Sequence, residues 1–223
     1  MITEQTMQVL KNYASINPNI VIESGNVIKT ISEAKNVVSK SILDVEFPKT
    51  FGIFDLNEFI SAMGLVDNPT LSFEDEYVLI GDSVGRTRIK YYYSDIDILT
   101  SPSKEVVMRD ADVTFTLDRE TLAKVRRASS VLGHNEVSVT CIDNVVCLTV
   151  NDNSDSTSNG YTVDVEGTYK HSNFNFVFNI NNLKMIEGDY DVAISSSLIS
   201  HFINKQTKIE YWVALEKTST YGD

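Results

Sequence analysis

Apolar and polar residues along this chain form a recurring pattern in which an apolar strand runs directly into the start of a helix. Two short copies begin at Phe54 and Phe178, each with an Asn three positions on and a Gly seven residues after that Asn. Two longer copies begin at Thr3 and Asp118, with apolar residues four and seven positions later. Asn, Asp and Thr side chains accept hydrogen bonds from the free amides of a first helical turn. The pattern therefore predicts four capped helices, starting at Thr3, Asn57, Asp118 and Asn181.

The order of the four copies predicts the domain organisation. They alternate long, short, long, short, and equivalent copies recur after 115 residues (3 to 118) and 124 residues (57 to 181). Such a period is well above that of a solenoid repeat, and it indicates two similar domains, each built from two similar halves. A Ser-Pro-Ser segment from Ser101 lies between the two pairs. We therefore predict two domains, 1–103 and 104–223.

Strict alternation of apolar residues predicts antiparallel strands between the helices. Two runs alternate most clearly, one from Phe174 to Ile180 and one from Ile209 to Leu215. A period of two is typical of half-buried strands in an antiparallel sheet. With 42% apolar and 9% aromatic residues, 223 residues can fill two cores. The predicted fold class is α+β, with two similar domains that each pack two helices on antiparallel sheet.

The two cysteines lie in a predicted hairpin that turns at Asp143 and Asn144. A two-residue turn sets Cys141 and Cys147 on opposite faces of this hairpin, where no disulfide can join them. We expect both thiols to be reduced, as in a cytoplasmic protein. The N-terminus has neither a basic nor an apolar segment, and no apolar run approaches membrane-spanning length, so we expect neither export nor insertion.

The sequence contains few candidates for catalysis. Gly81-Asp82-Ser83-Val84-Gly85 matches the nucleophile-elbow pattern, but the following residues predict a strand instead of the required helix, which favours a hairpin turn. Asp95 and Asp97 favour a solvated acidic edge over a metal site, and the three histidines have no ligand spacing. No phosphate-binding glycine loop precedes a helix. We expect no enzyme activity, no catalytic residue, no metal and no cofactor, with a hydrolase using Ser83 as a minor alternative.

Charge first argues against a polyanionic partner. Nineteen basic and 31 acidic residues give a net charge of −12, which repels nucleic acid if it is evenly spread. A helical wheel from Asp118, however, groups Leu122 and Val125 on an apolar side, flanked by basic residues. Such residues either form a basic surface or merely solubilise the helices, and composition leaves both interpretations open. The candidate basic residues on the four predicted helices are Lys11, Lys124, Arg126, Arg127 and Lys184.

Three stretches resemble a known family. Leu10–Asn17, Asn173–Met185 and Tyr211–Glu216 are similar to the replicative sliding clamp of T-even-type phages, the DNA polymerase processivity factor. The resemblance runs nearly end to end in order and length. It implies a homotrimer in which three chains close a ring of six domains around double-stranded DNA without reading its sequence.

The resemblance also gives the basic residues a role. In such a ring the helices line the hole, so the five candidates are expected to face the phosphates while the acidic excess lies outside. Arg127 and Lys184 match basic positions of the family's helices, whereas Lys124 and Arg126 are assigned by the helical wheel. A clamp that slides needs weak, sequence-independent phosphate contacts.

The partners implied by the resemblance are the C-terminal peptide of the phage DNA polymerase, an ATP-driven clamp loader and the late-transcription factors. The polymerase peptide is expected to bind in a groove beside the interdomain connection, with Val106, Val107 and Met108 in its wall. The expected location is the cytoplasm of the infected bacterial host. A noncatalytic β-rich phage structural protein is the alternative, because repeated domains and an acidic surface serve a virion equally well.

Overall fold

A computed structural model describes residues 2–108, 110–153, 155 and 157–222. The chain divides into two compact units, Met1–Glu105 and Val106–Asp223. The predicted domains are 1–103 and 104–223, so the predicted boundary lies two residues before the boundary between these units.

Three of the four predicted helices are present among the described residues. Two begin at their predicted caps: Thr6 N donates to Thr3 Oγ1 at 3.1 Å, and Thr121 N donates to Asp118 Oδ1 at 2.7 Å. These side chains satisfy first-turn amides that have no partner within the helix. The helices are α1 (Glu4–Ile16), α2 (Leu56–Gly64) and α3 (Arg119–Leu132).

The N-terminal unit packs α1 and α2 together, with α1 also lying on a pair of long strands. Val9, Leu10 and Tyr13 form the buried side of α1, at the three- and four-residue spacing of one helical face. Its strands are β1 (Ile20–Ile22), β2 (Gly25–Ile31), β3 (Val37–Phe47), β4 (Phe51–Ile53), β5 (Thr70–Phe73), β6 (Tyr77–Gly81) and β7 (Arg88–Tyr92). Within this unit β1 pairs with β4, β2 with β3, and β6 with both β5 and β7, all antiparallel.

The C-terminal unit contains two antiparallel layers that enclose its core. Its strands are β8 (Val113–Leu117), β9 (Glu136–Ile142), β10 (Val145–Asn151), β11 (Tyr161–Val165), β12 (Gly167–Tyr169), β13 (Phe174–Asn179), β14 (Tyr190–Ser195), β15 (Ile199–Asn204), β16 (Ile209–Ala214) and β17 (Thr220–Tyr221). One layer has the order β11-β10-β9-β13-β17, and within this unit the other has the order β12-β8-β14-β15-β16. The helix α3 packs on β10 and β11. The predicted strands from Phe174 and Ile209 are thus confirmed as β13 and β16.

In both short copies of the repeated pattern the capping residue lies two residues earlier than predicted. Asp55, not Asn57, caps α2, because its Oδ1 accepts a hydrogen bond from Glu58 N at 3.0 Å. At the equivalent place Asn179, not Asn181, accepts from the amide of Asn181 at 3.0 Å. The capping residue directly follows Phe54 in one copy and Phe178 in the other, and the predicted Asn already lies within the first turn.

The predicted fourth helix is wrong. A three-residue 3₁₀ turn, Ile180–Asn182, replaces it, and a segment without regular secondary structure follows. In that segment Ile186 N donates to the hydroxyl of Tyr211 at 3.1 Å, and Arg126 donates to the carbonyl oxygens of Leu183 and Met185. These contacts satisfy backbone groups that a helix would otherwise pair internally. Side chains from other elements therefore override the local pattern.

The predicted cysteine hairpin is confirmed. In the β9–β10 pair Cys141 lies opposite Val146 and Cys147 opposite Thr140, and both thiols are free. The turn residues Asp143 and Asn144 have φ values of 50° and 66°, as a two-residue hairpin turn of type I′ requires.

Asp112, just before β8, fixes the start of the C-terminal unit. Its side chain is 11% exposed, and the carboxylate accepts from Ser196 N at 2.7 Å and from Lys170 Nζ at 3.2 Å. Burial raises the pKa of Asp112, but the hydrogen bonds from Ser196 and the contact with Lys170 outweigh it, so the pKa lies below its ordinary 3.8. A lowered pKa means that the folded state favours the ionised carboxylate.

We predict that Asp112→Asn lowers the free energy of unfolding by about 1–3 kcal/mol at neutral pH, because it weakens buried charged contacts. The wild-type contribution is complete above the ordinary pKa and is lost as the pH falls through the lowered one. Urea unfolding at neutral and at acidic pH measures both effects. Asp191→Asn is the control, since Asp191 pairs with Lys205 but is 63% exposed; equal losses in the two variants would contradict the prediction.

Candidate nucleic-acid interface

Positive charge on the described helices is concentrated on α3. This helix carries four basic residues and one acidic residue, whereas α1 carries Lys11 and Glu4, and α2 carries Glu58 with no basic residue. The overall acidity of the chain therefore does not extend to α3. The basic residues of this helix are Arg119, Lys124, Arg126 and Arg127.

The buried side of α3 determines which basic residues reach solvent. Leu122, Val125 and Ser129 are buried against the sheet. Lys124 and Arg127 lie on the exposed part of the helix, as the wheel predicted. Within the described residues Arg127 makes no ion pair.

Lys124 is paired within its own helix. Its Nζ lies 2.6 Å from Glu120 Oε1, one turn earlier, and the two side chains are 55% and 78% exposed. The hydrogen bond and the negative charge of Glu120 raise the pKa of Lys124. Lys124 is thus charged, and its ammonium group is already in contact with the Glu120 carboxylate.

Arg119 was missed by the sequence analysis, although it directly follows the Asp118 cap. A cation at a helix N-terminus is unfavourable for the helix dipole, so it needs compensation. Here its guanidinium forms an ion pair with Glu187, and its backbone amide donates to Asp189 Oδ1 at 2.8 Å. Both acidic residues come from the segment that replaces the predicted fourth helix.

Arg126 differs from the other basic residues of α3. Its guanidinium is partly buried and donates to the carbonyl oxygens of Leu183 and Met185, the latter at 3.0 Å. Burial lowers the pKa of Arg126. The wheel assigned this residue to the DNA-facing group, but its contacts make it an anchor that holds the segment after the 3₁₀ turn against α3.

The two remaining basic candidates are exposed. Lys11 lies on α1 in the N-terminal unit. Lys184 lies between the buried residues Leu183 and Met185 in a segment without regular secondary structure, not in the predicted fourth helix. Lys184 therefore belongs to the segment that Arg126 holds against α3.

The predicted peptide-groove residues lie in a segment without regular secondary structure. Val107 is 71% exposed, while Val106 and Met108 are half-buried. An isolated exposed Val is ordinary, but a short unpaired segment that offers apolar side chains suits binding to a peptide.

The remaining candidate sites from the sequence lie in turns. Ser83 lies in the turn between β6 and β7, where the Asp82 carboxylate accepts from the amides of Arg86 and Thr87. Asp95 begins a 3₁₀ turn, Ile96–Ile98, rather than lying in a strand. Across the described residues no group of three or more His, Cys, Asp or Glu side chains is placed to hold a metal ion. None of the described helices is long and apolar enough to cross a membrane.

Comparison with known proteins agrees with this arrangement. Residues 114–217, which include α3, match the family described as gp45 sliding clamp, C terminal. The sliding clamp of Vibrio phage KVP40 is 29% identical over 96% of this chain and 98% of its own length. Those of Escherichia phage RB69 and Enterobacteria phage T4 are each 27% identical over 99% of this chain and 98% of their own.

The chain is similar to phage sliding clamps from end to end. The resemblance predicted from three short stretches is thereby confirmed, and it supports a sliding clamp function in phage DNA replication.

Solved structures show the same clamp fold at much lower identity. Proliferating Cellular Nuclear Antigen from Entamoeba histolytica superposes with a TM-score of 0.67 at 15% identity, over 94% of each chain. PCNA from Thermococcus kodakaraensis gives 0.69 at 11% identity, over 95% of this chain and 96% of its own. The predicted α+β fold of two clamp domains is confirmed, with a 3₁₀ turn in place of one helix.

The contacts of Arg126 predict a stability difference between two neighbouring arginines of this protein. Arg126→Met keeps the side-chain length but leaves two carbonyl groups without their charged donor, so we expect it to lower the free energy of unfolding by about 2–3 kcal/mol. Arg127→Met, the matched control at an exposed position, is expected to change it by at most about 0.5 kcal/mol. Urea unfolding of both variants measures the difference, and similar values for the two would contradict the anchoring role.

Proposed function

We propose that the protein is a noncatalytic sliding clamp that closes as a homotrimer around duplex DNA and tethers the phage replicative DNA polymerase. The observation that carries this proposal is the basic face of α3 in a chain whose net charge is −12. End-to-end similarity to phage sliding clamps supports the same proposal.

Duplex DNA is the partner that this face fits. Lys124 and Arg127 are exposed on α3, and Lys11 and Lys184 add exposed cations. Exposed cations of this kind bind phosphates without reading base edges. Reading base edges instead requires hydrogen-bonding groups that are aimed into a groove of the duplex. A topological ring needs no strong affinity, so a few such contacts suffice. Arg126 is left out of this DNA-facing set because its guanidinium is bound to the backbone.

Two edge strands support ring closure. Among the described strands β7 pairs only with β6, and β11 pairs only with β10. An edge with unpaired amides and carbonyls can pair with a strand of another chain, and unlike edges give a head-to-tail contact that closes a ring. The β7 edge carries Arg88 and Lys90, whereas Asp164 lies on β11 and Glu166 directly follows it. This complementary charge favours β7 of one subunit against β11 of the next.

Within the proposed ring, the domains 1–103 and 104–223 supply six clamp domains. The segment around Ser101 to Met108 binds the C-terminal peptide of the polymerase through Val106, Val107 and Met108. An ATP-driven loader opens and closes the ring, and the late-transcription factors bind it as well, in the cytoplasm of the infected bacterial host. These partners come from the similarity to phage clamps, and the exposed apolar side chain of Val107 is consistent with peptide binding.

The DNA-facing role is tested by replacing Lys124 and Arg127 together with Glu. This changes four charge units per subunit next to the phosphates, so processive primer extension at low salt should fall by about tenfold or more while the trimer persists. Because both positions are exposed, stability should change by less than about 1 kcal/mol. The defect should shrink as salt rises and screens the wild-type contacts.

The matched control makes the same charge change at Lys208 and Lys217, which are exposed in the turns on either side of β16. Sedimentation should give three times the chain mass of 25.0 kDa for wild type and both double variants. Wild-type processivity in the Lys124→Glu, Arg127→Glu trimer would show that α3 does not face DNA. A protein that never stimulates synthesis and sediments as a monomer would instead favour the β-rich structural protein.

The peptide site is tested by Val107→Glu. A carboxylate in an apolar contact is costly, so the variant should bind a synthetic polymerase C-terminal peptide at least about tenfold more weakly. Ring mass and duplex binding should remain unchanged. Val84→Glu is the control, since Val84 is 72% exposed against 71% for Val107 but lies in the β6–β7 turn. Equal peptide affinity for wild type and Val107→Glu would move the site elsewhere.

A further inference from the structure

Two of the three exposed cations on α3 lie against carboxylates of their own unit. Lys124 Nζ is 2.6 Å from Glu120 Oε1, and the Arg119 guanidinium pairs with Glu187. Within the described residues Arg127 alone of these three makes no ion pair. The basic face therefore carries its own counter-charges, at the positions where phosphates would bind.

These counter-charges are held in place by the fold. Glu120 precedes Lys124 by one helical turn, with the acidic residue first, which is the favourable order for such a pair. Glu187 lies in the segment that is fixed to α3 at both ends. At one end Arg126 binds the carbonyl of Met185 at 3.0 Å, and at the other the carboxylate of Asp189 accepts the amide hydrogen of Arg119 at 2.8 Å.

We propose that Glu120 and Glu187 compete with DNA phosphates for Lys124 and Arg119, and thereby keep the grip of α3 weak enough for sliding. This inference rests on the proposed function, because the competition matters only where α3 faces a duplex. A phosphate that approaches either cation must displace a carboxylate, so one exposed ion pair is exchanged for another and little free energy is gained.

Each ion pair is expected to weaken phosphate binding only modestly. The side chains in the two pairs are 55–78% exposed. Exposed pairs of this kind shift an equilibrium by about twofold to fivefold. A trimer would carry six such pairs, so the total weakening of DNA contact depends on how many of them meet phosphates at the same time. Arg127, which has no such competitor, would keep a baseline contact in every subunit.

The test uses the full chain and a short, blunt, fluorescently labelled duplex that can enter the ring from its ends. Glu120→Gln and Glu187→Gln each remove a competitor and keep the side-chain size. In an anisotropy titration at low salt, each variant should bind at least about twofold to fivefold more tightly than wild type, because it removes one competitor from every subunit. The dependence of log affinity on log salt should also become steeper, by about 0.9 for each additional phosphate contacted. A loaded Glu120→Gln, Glu187→Gln clamp should diffuse more slowly along DNA.

Two controls separate competition from a general change in charge. Glu4→Gln removes a carboxylate from the first turn of α1, where no ion pair is formed within the described residues. It should tighten binding less than Glu120→Gln does. In a Lys124→Gln background, Glu120→Gln should lose most of its effect, because the cation for which it competes is gone.

The outcomes distinguish this inference from the proposed function. If wild type and all Gln variants bind the duplex with equal affinity and salt dependence, the competition is refuted while DNA binding stands. An effect of Glu120→Gln that persists undiminished without Lys124 also refutes it, since only long-range charge would then act. If no variant binds duplex and the Lys124→Glu, Arg127→Glu clamp stays processive, the DNA-facing role of α3 fails as well.

Discussion

The hydrogen bonds from the Arg126 guanidinium to the carbonyls of Leu183 and Met185 determine how the charged part of the C-terminal unit is built. The segment after the 3₁₀ turn has no helical hydrogen bonds, so its backbone groups need partners from elsewhere. A guanidinium presents several donors in one plane and can satisfy two carbonyls at once. By holding this segment against α3, Arg126 brings Glu187 and Asp189 to the start of that helix. Arg126 is thus partly buried, and its contacts fix the surroundings of Arg119.

The distribution of charge follows from this arrangement. The chain is strongly acidic, yet α3 is basic, and α2 has no basic residue at all. In the proposed ring, phosphate contact would fall mainly to the C-terminal unit, while the N-terminal helices would mostly bound the hole. The paired carboxylates Glu120 and Glu187 moderate the contact further. Weak contact is what sliding requires, because each strong phosphate bond would have to break at every step along the duplex.

Ring closure and DNA contact would share one physical basis in this proposal. The β7 edge carries Arg88 and Lys90, and the β11 edge carries Asp164, so charge would assist the proposed pairing of subunits. Interactions between exposed charges are screened as ionic strength rises. Both the ring and its hold on DNA are therefore expected to loosen in high salt, through different sets of residues. Backbone pairing along the edges would remain, since it is much less sensitive to screening.

The sequence by itself determined the features that depend on near neighbours. Thr3 and Asp118 cap their helices, β13 and β16 follow strict alternation, and the cysteine hairpin has the expected register, because turn length and a period of two leave little choice. The helical wheel likewise identified Lys124 and Arg127 as exposed. All of these follow from spacing within one or two elements.

Only the tertiary structure decided the fourth helix and the role of Arg126. The partners that replace the helical ladder are Tyr211, 25 positions from Ile186, and Arg126, 57 positions from Leu183. No local pattern indicates such contacts, and buried backbone groups favour whichever donor or acceptor the fold brings to them. The pairing of Arg119 with Glu187 was hidden for the same reason. Spacing along a chain reports which face a residue occupies, whereas the neighbour that it meets there is set by how distant elements pack.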